Sequence, residues 1–183
     1  MTVGFDVILG ILTKKAAGKV SQHIDELKQV DEPGTITKDL VEPGGKNNPN
    51  PDNGTMRSIE NVNPGYPKSG RTLNCVNCSV ATDATLKGNP AQALPGKRTP
   101  IVVLEKQYGA KFLKVGSKQR IIREFKLAGN GKKGIVYGVF PDGNGHVFNV
   151  INQDGIVRFL DGQNGKPAED FAPYVQLYIM PTN

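Results

Sequence analysis

The sequence predicts an α+β protein, with N-terminal helices packed on an antiparallel β-meander. Three observations lead to this class. Helical patterns come first, and runs of β-branched and aromatic residues follow after residue 129. The two patterns do not alternate along the chain, as they would in a protein with a parallel sheet. The chain has 183 residues, which is enough for one domain with extensions and for a core that needs no disulfide staples.

Four segments have helical patterns, and their ends carry start or stop signals. They are residues 19–29, 75–87, 99–108 and 117–128. Thr99 followed by Pro100 predicts the N-cap and first position of the third helix. Gly88, Gly109 and Gly129 are placed to end the second, third and fourth helices.

Four later segments are rich in β-branched and aromatic residues, as strands are. They are residues 135–140, 146–151, 156–161 and 174–180. Asp154-Gly155 is a two-residue hairpin signal, and that turn places Val150 opposite Phe159. Since side chains alternate along a strand, His146 and Asp161 then share one face of the sheet, with Gln163 directly across from His146.

The chain divides into two parts by composition. Between residues 31 and 70 the sequence contains many Pro, Gly and Asn residues, which interrupt regular secondary structure. Residues 42–68 are therefore interpreted as a linker or long loop. We therefore expect an N-terminal helical segment and linker at 1–63, followed by a catalytic domain at 64–183. No apolar run reaches the roughly 18 residues that a membrane span requires, so we expect no membrane partner.

Positive charge is concentrated in one segment. Residues 97–133 contain eleven Lys or Arg and two Glu, an excess of nine, whereas the whole chain has a net charge of +6. Such a segment can attract an acidic partner or nucleic acid. Aromatic residues do not alternate with these charges as base-stacking platforms would, which favours a solvated helix face over nucleic-acid binding.

Cys75 and Cys78 open the second helix, and His146 and Asp161 come from two later strands. A thiol at a helix start is acidified by the helix dipole, and with a later histidine and aspartate it forms the parts of a nucleophile and its base. Cys75, with Asn74 as its cap, is the better nucleophile, because neighbouring apolar residues suggest that Cys78 packs in the core. A thiol redox motif would be expected within a βαβ pattern, which the sequence does not show. A zinc site would need a second Cys or His pair at ligand spacing, and the sequence has none.

The residues at these positions resemble the papain-fold toxin domain of bacterial polymorphic toxins, a glutamine-deamidase-like family. The resemblance rests on the segments 74–88, 93–95, 145–149 and 161–165, and it covers residues 64–180 approximately. It implies a papain-like cysteine hydrolase fold with Cys75 as nucleophile, His146 as base and Asp161 as the residue that orients it. Papain-like enzymes carry an oxyanion-hole glutamine shortly before the nucleophile, but residues 69–73 contain none. The backbone N–H of Cys75 is then the remaining oxyanion donor. Asn74 and Gln163 are candidates for oxyanion or orienting roles.

The resemblance implies a toxin effector that deamidates a glutamine of a target protein through a thioester, with no cofactor and no metal. It also implies delivery by a bacterial secretion system into the cytoplasm of a target cell, and a cognate immunity protein. The same triad would serve a cysteine protease or a transglutaminase-like acyl transferase. A basic module that binds nucleic acid or a partner protein, with inert cysteines, is the alternative that is not an enzyme.

Overall fold

The structure, a computed structural model, describes residues 40–43 and 59–182. The helix predicted at 19–29 lies outside these residues. Within them the chain forms three helices and eight strands. The helices are α1 (Cys75–Leu86), α2 (Val102–Tyr108) and α3 (Lys118–Ala128). The strands are β1 (Val41–Pro43), β2 (Ala91–Ala93), β3 (Leu113–Val115), β4 (Lys133–Val139), β5 (Gly145–Gln153), β6 (Ile156–Asp161), β7 (Lys166–Pro167) and β8 (Gln176–Pro181).

Mixed helices and antiparallel strands make up the described part of the chain, as the sequence predicts. The six-stranded sheet has the order β3-β8-β4-β5-β6-β7, and every neighbouring pair is antiparallel. Strands β4 to β7 follow one another as a meander. Strand β8 returns to the other side of β4 and separates it from β3, so the sheet is not a meander throughout. Strands β1 and β2 form a separate two-stranded sheet.

The hairpin between β5 and β6 has the predicted turn and register. Asp154 and Gly155 both have positive φ, 50° and 83°, the left-handed conformation that a two-residue hairpin turn requires of both residues. Val150 consequently pairs with Phe159, and Asn149 pairs with Leu160. This register fixes which face each side chain of β5 and β6 occupies.

Helix α1 packs on one face of the sheet. Its Val76 and Val80 lie in a buried cluster with Ile135 of β4 and Val147 of β5. Its Ser79 carbonyl accepts a hydrogen bond from Asn149 Nδ2, at 3.1 Å. These contacts position the start of α1 against β5, because Val147 and Asn149 are alternate residues on the same side of that strand.

Helix α3 packs on the opposite face. Ile121 and Phe125 are fully buried and share a cluster with Phe148 and Val150, which point to the other side of β5 from Val147. Ser117 caps the helix, since its hydroxyl accepts a hydrogen bond from the Arg120 amide at 3.2 Å. The helix ends at Ala128, with Gly129 following as predicted.

Helix α2 begins two residues later than the Thr99-Pro100 signal predicts. The Thr99 hydroxyl does not cap it but lies 3.4 Å from the Lys97 carbonyl, within its own loop. The Pro100 carbonyl accepts a hydrogen bond from the Val103 amide, which makes a tight turn before the helix. The end is as predicted, with Gly109 in the left-handed conformation at φ 60°.

A buried carboxylate holds the second half of α1 in place. Asp83 is 2% exposed, and its oxygens lie 2.7 Å from Lys87 Nζ and 3.6 Å from Lys133 Nζ. They also accept hydrogen bonds from the hydroxyls of Tyr108, at 3.1 Å, and Thr182, at 2.8 Å. One side chain therefore links α1 to α2, β4 and the residue that follows β8.

Residues 59–63 pack with the rest of the described chain. Ile59 and Val62 are 0% and 1% exposed and share a cluster with Cys78. These residues lie on the N-terminal side of the boundary predicted at Pro64, in the segment that the sequence suggested was a loop. Among the described residues, none of the helices is both long and apolar enough to cross a membrane.

Candidate active site

Cys75 is the first residue of α1 and is partly exposed. The backbone N–H groups of a first helical turn have no partner within the helix, so they and the helix dipole favour negative charge at this place. Asn74 occupies the N-cap position, but its side chain makes no capping hydrogen bond. The predicted capping role of Asn74 is therefore wrong, since its amide is engaged elsewhere.

His146 is the second residue of β5 and faces Gly138 across the ladder with β4. Its Nε2 lies 3.0 Å from Oδ2 of Asp161, the last residue of β6. The hairpin register explains this contact, because it places the two side chains on one face near the same end of the hairpin. With Nε2 on the carboxylate, Nδ1 is the imidazole nitrogen available to another partner.

The imidazole of His146 also lies beside the Cys75 sulfur and acts on its pKa. Burial would raise the pKa of Cys75, but the hydrogen bond and positive charge of His146, with the Val147 N–H, outweigh it and lower the pKa. Burial would likewise lower the pKa of His146, yet the hydrogen bonds and charges of Asp161 and Cys75 raise it to about 10. Cys75 and His146 thus each shift the pKa of the other in the direction that favours its charged form.

Asp161 is held by the turn that follows it. It is 7% exposed, and its Oδ1 accepts a hydrogen bond from the Gln163 amide at 3.0 Å. Its Oδ2 accepts another from Asn164 Nδ2 at 2.7 Å, besides the one shared with His146. Sequence reasoning missed Asn164; the signal for it was an amide three residues after Asp161 in a Gly-rich turn.

Gln163 does not stand across from His146. The strand ends at Asp161, and Gln163 lies in the turn between β6 and β7 because the chain reverses there, with the Gly165 amide donating to the Asp161 carbonyl at 2.9 Å. Its side-chain Nε2 instead lies 3.5 Å from Oδ1 of Asn74. Gln163 thus contacts the Asp161 carboxylate through its backbone and the start of α1 through its side chain.

Asn74 belongs to a buried polar cluster behind Cys75. It is 1% exposed, and its Nδ2 donates to Asn63 Oδ1 at 2.9 Å and to the Leu94 carbonyl at 3.0 Å. Its side-chain amide is therefore engaged by Asn63 and by the Leu94 carbonyl. The structure brings Asn74 and Gln163 together, while Cys75, His146 and Asp161 form a second, adjoining group.

Cys78 differs from Cys75 in its surroundings. It is 1% exposed and lies in the apolar cluster with Ile151 and Leu160. Burial and the nearby charge of Cys75 raise the pKa of Cys78 well above its usual value. A thiol in this position remains protonated, and its contacts are those of a small core residue.

Two tyrosine rings occupy the space left by glycines beside His146. A Cβ placed on Gly138 would lie 2.5 Å from the ring of Tyr174, and one placed on Gly145 would lie 2.6 Å from the Tyr137 hydroxyl. The rings lie over opposite faces of the sheet, since Gly138 and Gly145 point to opposite sides. Burial, then the neighbouring Tyr178 and then the Cys75 charge raise the pKa of Tyr137.

The positive segment at 97–133 is partly neutralised within the fold. Lys111 pairs with Glu105 at 2.7 Å and Arg120 with Glu124 at 3.3 Å. In the described part of the chain, no group of three or more His, Cys, Asp or Glu side chains could hold a metal ion.

The geometry defines the class of site: a thiol at a helix start, an imidazole on a strand and a carboxylate on the next strand. A family model described as "Papain fold toxin 1, glutamine deamidase" matches residues 73–166, more than half of the chain, and this protein belongs to that family. The match includes the cysteine, the histidine and the aspartate. No curated protein and no solved structure matches the chain.

Proposed function

We propose that this protein deamidates a glutamine side chain of a target protein, with Cys75 as nucleophile, His146 as acid and base, and Asp161 as the residue that orients His146. The observation that carries the proposal is the contact between His146 Nε2 and Asp161 Oδ2 at 3.0 Å, beside the Cys75 sulfur, whose pKa His146 lowers. Family membership supports the choice of glutamine as substrate. The fold we infer is that of a papain-like cysteine hydrolase, with helices packed on the antiparallel sheet.

The reaction begins with the Cys75 thiolate, which attacks the carboxamide carbon and forms a carbon–sulfur bond. The negative oxygen that results is placed to accept hydrogen bonds from the backbone N–H groups at the start of α1. His146 donates its proton to the departing nitrogen, the carbon–nitrogen bond breaks, and ammonia leaves. The products of this half-reaction are ammonia and a thioester between Cys75 and the substrate.

Water completes the reaction. Neutral His146 accepts a proton from the water molecule as its oxygen attacks the thioester carbon, the carbon–sulfur bond breaks, and glutamate leaves. His146 is again protonated and Cys75 is again a thiolate. Asp161 accepts a hydrogen bond from Nε2 throughout, which keeps Nδ1 directed at the sulfur and stabilises the imidazolium.

A mass-spectrometric experiment tests the proposal and separates the reactions that share this thioester. Proteomes of cells expressing the parent chain are compared with those of cells expressing Cys75→Ala. Deamidation adds about one dalton to a glutamine-containing peptide, because an amide NH₂ is replaced by OH. New peptide termini would show a cysteine protease, and cross-linked or amine-modified glutamines would show a transglutaminase-like transferase.

Partners and location follow from the same proposal. We infer that the protein is delivered by a bacterial secretion system, acts in the cytoplasm of the target cell, and is neutralised by a cognate immunity protein. Co-expression with the product of a neighbouring gene is the test, with growth of the host as the readout. A parent chain that does not slow growth when it is made in the cytoplasm would contradict the toxin assignment.

A further inference from the structure

The buried amide of Asn63 joins two segments that carry active-site residues. One segment, 71–74, leads directly into Cys75, and the other is the turn after β6, which begins at Asp161. Asn63 is 5% exposed and lies outside the part of the chain that matches the family model, residues 73–166.

Both polar atoms of the Asn63 side chain have their hydrogen-bonding capacity used. Nδ2 donates to the Arg71 carbonyl at 2.9 Å and to the Gln163 carbonyl at 2.8 Å, and it also lies 3.4 Å from Asn74 Oδ1. Oδ1 accepts from Asn74 Nδ2 at 2.9 Å and from Arg71 Nη1 at 3.3 Å. A carboxamide offers two N–H donors and two lone pairs, so each of the four is engaged.

These bonds connect the two sides of the active site. Through Asn74 and Arg71 the amide holds the chain that enters α1 at Cys75. Through the Gln163 carbonyl it holds the residue whose own N–H donates to Asp161. Directed hydrogen bonds between buried groups permit little displacement of the helix start.

We propose that Asn63 is a positioning residue that fixes the start of α1, and with it the Cys75 sulfur, relative to the turn that holds Asp161 and so His146. The proposal rests on the proposed function, because it assigns Asn63 to the same site. Displacement of the helix start lengthens the contact between the thiolate and the imidazole, and the electrostatic stabilisation of the thiolate falls with that distance.

The test uses two Asn63 variants and a matched control. Asn63→Leu removes all the side-chain hydrogen bonds, while Asn63→Asp keeps an acceptor for Asn74 and Arg71 but loses the donors to the Gln163 and Arg71 carbonyls. Asn152 is the control, since it is also buried, at 1% exposed, and bonds the Phe125 carbonyl at 2.8 Å and the Gly155 amide at 2.9 Å. It lies six residues along β5 from His146, which is about 20 Å of strand.

The measurement is the rate of alkylation of Cys75 by iodoacetamide as a function of pH, in chains that carry Cys78→Ala, together with the melting temperature. We expect both Asn63 variants to raise the apparent pKa of the thiol by about one unit, with roughly threefold slower alkylation on the acid side, where lost thiolate outweighs higher nucleophilicity. Asn152→Leu and Asn152→Asp are expected to lower the melting temperature and leave the pH profile unchanged.

Three results would overturn the positioning role. The first is a pH profile of alkylation in the Asn63 variants that coincides with that of the parent. The second is a shift of the thiol pKa in the Asn152 variants as large as that in the Asn63 variants. The third is failure of both Asn63 variants to fold while both Asn152 variants fold. A parent chain whose Cys75 titrates at the ordinary value of 9.0 would instead refute the thiolate of the proposed function itself.

Discussion

Nε2 of His146 lies 3.0 Å from Oδ2 of Asp161, and that carboxylate accepts two further hydrogen bonds from the turn behind it. The Gln163 amide and the Asn164 side chain prevent the carboxylate from rotating away. The imidazole is consequently oriented by a group that is itself fixed, and its Nδ1 is left without a bond to that carboxylate.

Replacing Asp161 with asparagine should reduce the rate of deamidation by roughly 10²–10⁴-fold, the usual contribution of an acid–base group in the correct state. The amide cannot stabilise the imidazolium, and it can present an N–H where His146 needs an acceptor. The rate is measured by release of ammonia from a glutamine-containing substrate. Asp170→Asn, on an exposed carboxylate, is the control and should retain activity. Equal rates for Asp161→Asn and the parent would contradict an orienting role.

The two cysteines should differ completely in their effect. Cys75→Ala should abolish activity and toxicity with the fold intact, because the sulfur of the proposed thioester is lost. Cys78→Ala should keep activity and lower the free energy of unfolding by about 1 kcal/mol, since it removes one buried atom from an apolar cluster. Circular dichroism and growth of the expressing host are the measurements. A toxic Cys75→Ala chain beside an inactive Cys78→Ala chain would reverse the assignment.

The pH dependence should have two limbs. The lowered pKa of Cys75 predicts that activity rises at pH values below 9.0, the ordinary thiol value. The raised pKa of His146 predicts that activity falls as the pH rises through about 10, because the proton for the leaving ammonia is lost. The rate constant for a saturating glutamine substrate is measured from pH 5 to 11.

Protein stability should follow the same two groups. Because the pKa of His146 is raised on folding, the protonated imidazole stabilises the fold fully below pH 6.5. This stabilisation is lost as the pH rises through about 10. Because the pKa of Cys75 is lowered on folding, the ionised thiol stabilises the fold fully above pH 9.0. This stabilisation is lost as the pH falls through the lowered pKa of the folded protein. Urea unfolding of the parent and of His146→Ala at several pH values measures the two contributions together, because His146 is also the group that lowers the Cys75 pKa. Parallel stability curves for the two proteins would contradict this coupling.

Adding a methyl group at Gly138 should destabilise the protein by about 1–3 kcal/mol, because the new Cβ would lie 2.5–2.7 Å from three atoms of the Tyr174 ring. The ring must move, and it lies next to Phe148 in the aromatic cluster, with centroids 6.0 Å apart. Denaturant unfolding measures the change. In a double-mutant cycle with Tyr174→Ala, most of the effect of Gly138→Ala should disappear; additive effects would show that the two positions do not meet.

Removing the carboxylate of Asp83 should cost about 3–5 kcal/mol in the free energy of unfolding, since Lys133 would be left with a buried charge and less compensation. Asp83→Ala is the variant, and urea unfolding at neutral pH is the measurement. Lys111→Met breaks a pair whose lysine is 72% exposed, and it should change stability by less than about 1 kcal/mol. Equal effects of the two substitutions would show that burial of the Asp83 pairs is unimportant.

Much of the site could be predicted because its parts depend on local periodicity. Asp154-Gly155 allows only a tight turn, the turn fixes the register of β5 and β6, and the register places His146 and Asp161 on one face. The same use of strand periodicity gives the wrong position for Gln163. Gln163 was predicted to continue the ladder, but the chain turns after Asp161, and strand periodicity carries no information beyond the end of a strand.

Other features depend on contacts between distant segments. Asn63 lies 11 residues from Asn74 and 100 residues from Gln163, so no local pattern relates the three. Tyr137 and Tyr174 fill the space of two glycines on the neighbouring strands, and a glycine in a strand does not reveal which ring will approach it. The position of β8 between β3 and β4 is likewise a matter of sheet assembly.

By itself, the sequence determined the residue types of the site, the helix that starts at Cys75, and the hairpin that brings His146 and Asp161 to one face, because short-range sterics and side-chain alternation fix each of these. Only the tertiary structure decided that the Cys75 sulfur meets the imidazole while Cys78 is buried. That outcome depends on how α1 packs against β5, and the packing is set by apolar contacts and buried amides supplied by segments far apart in the chain.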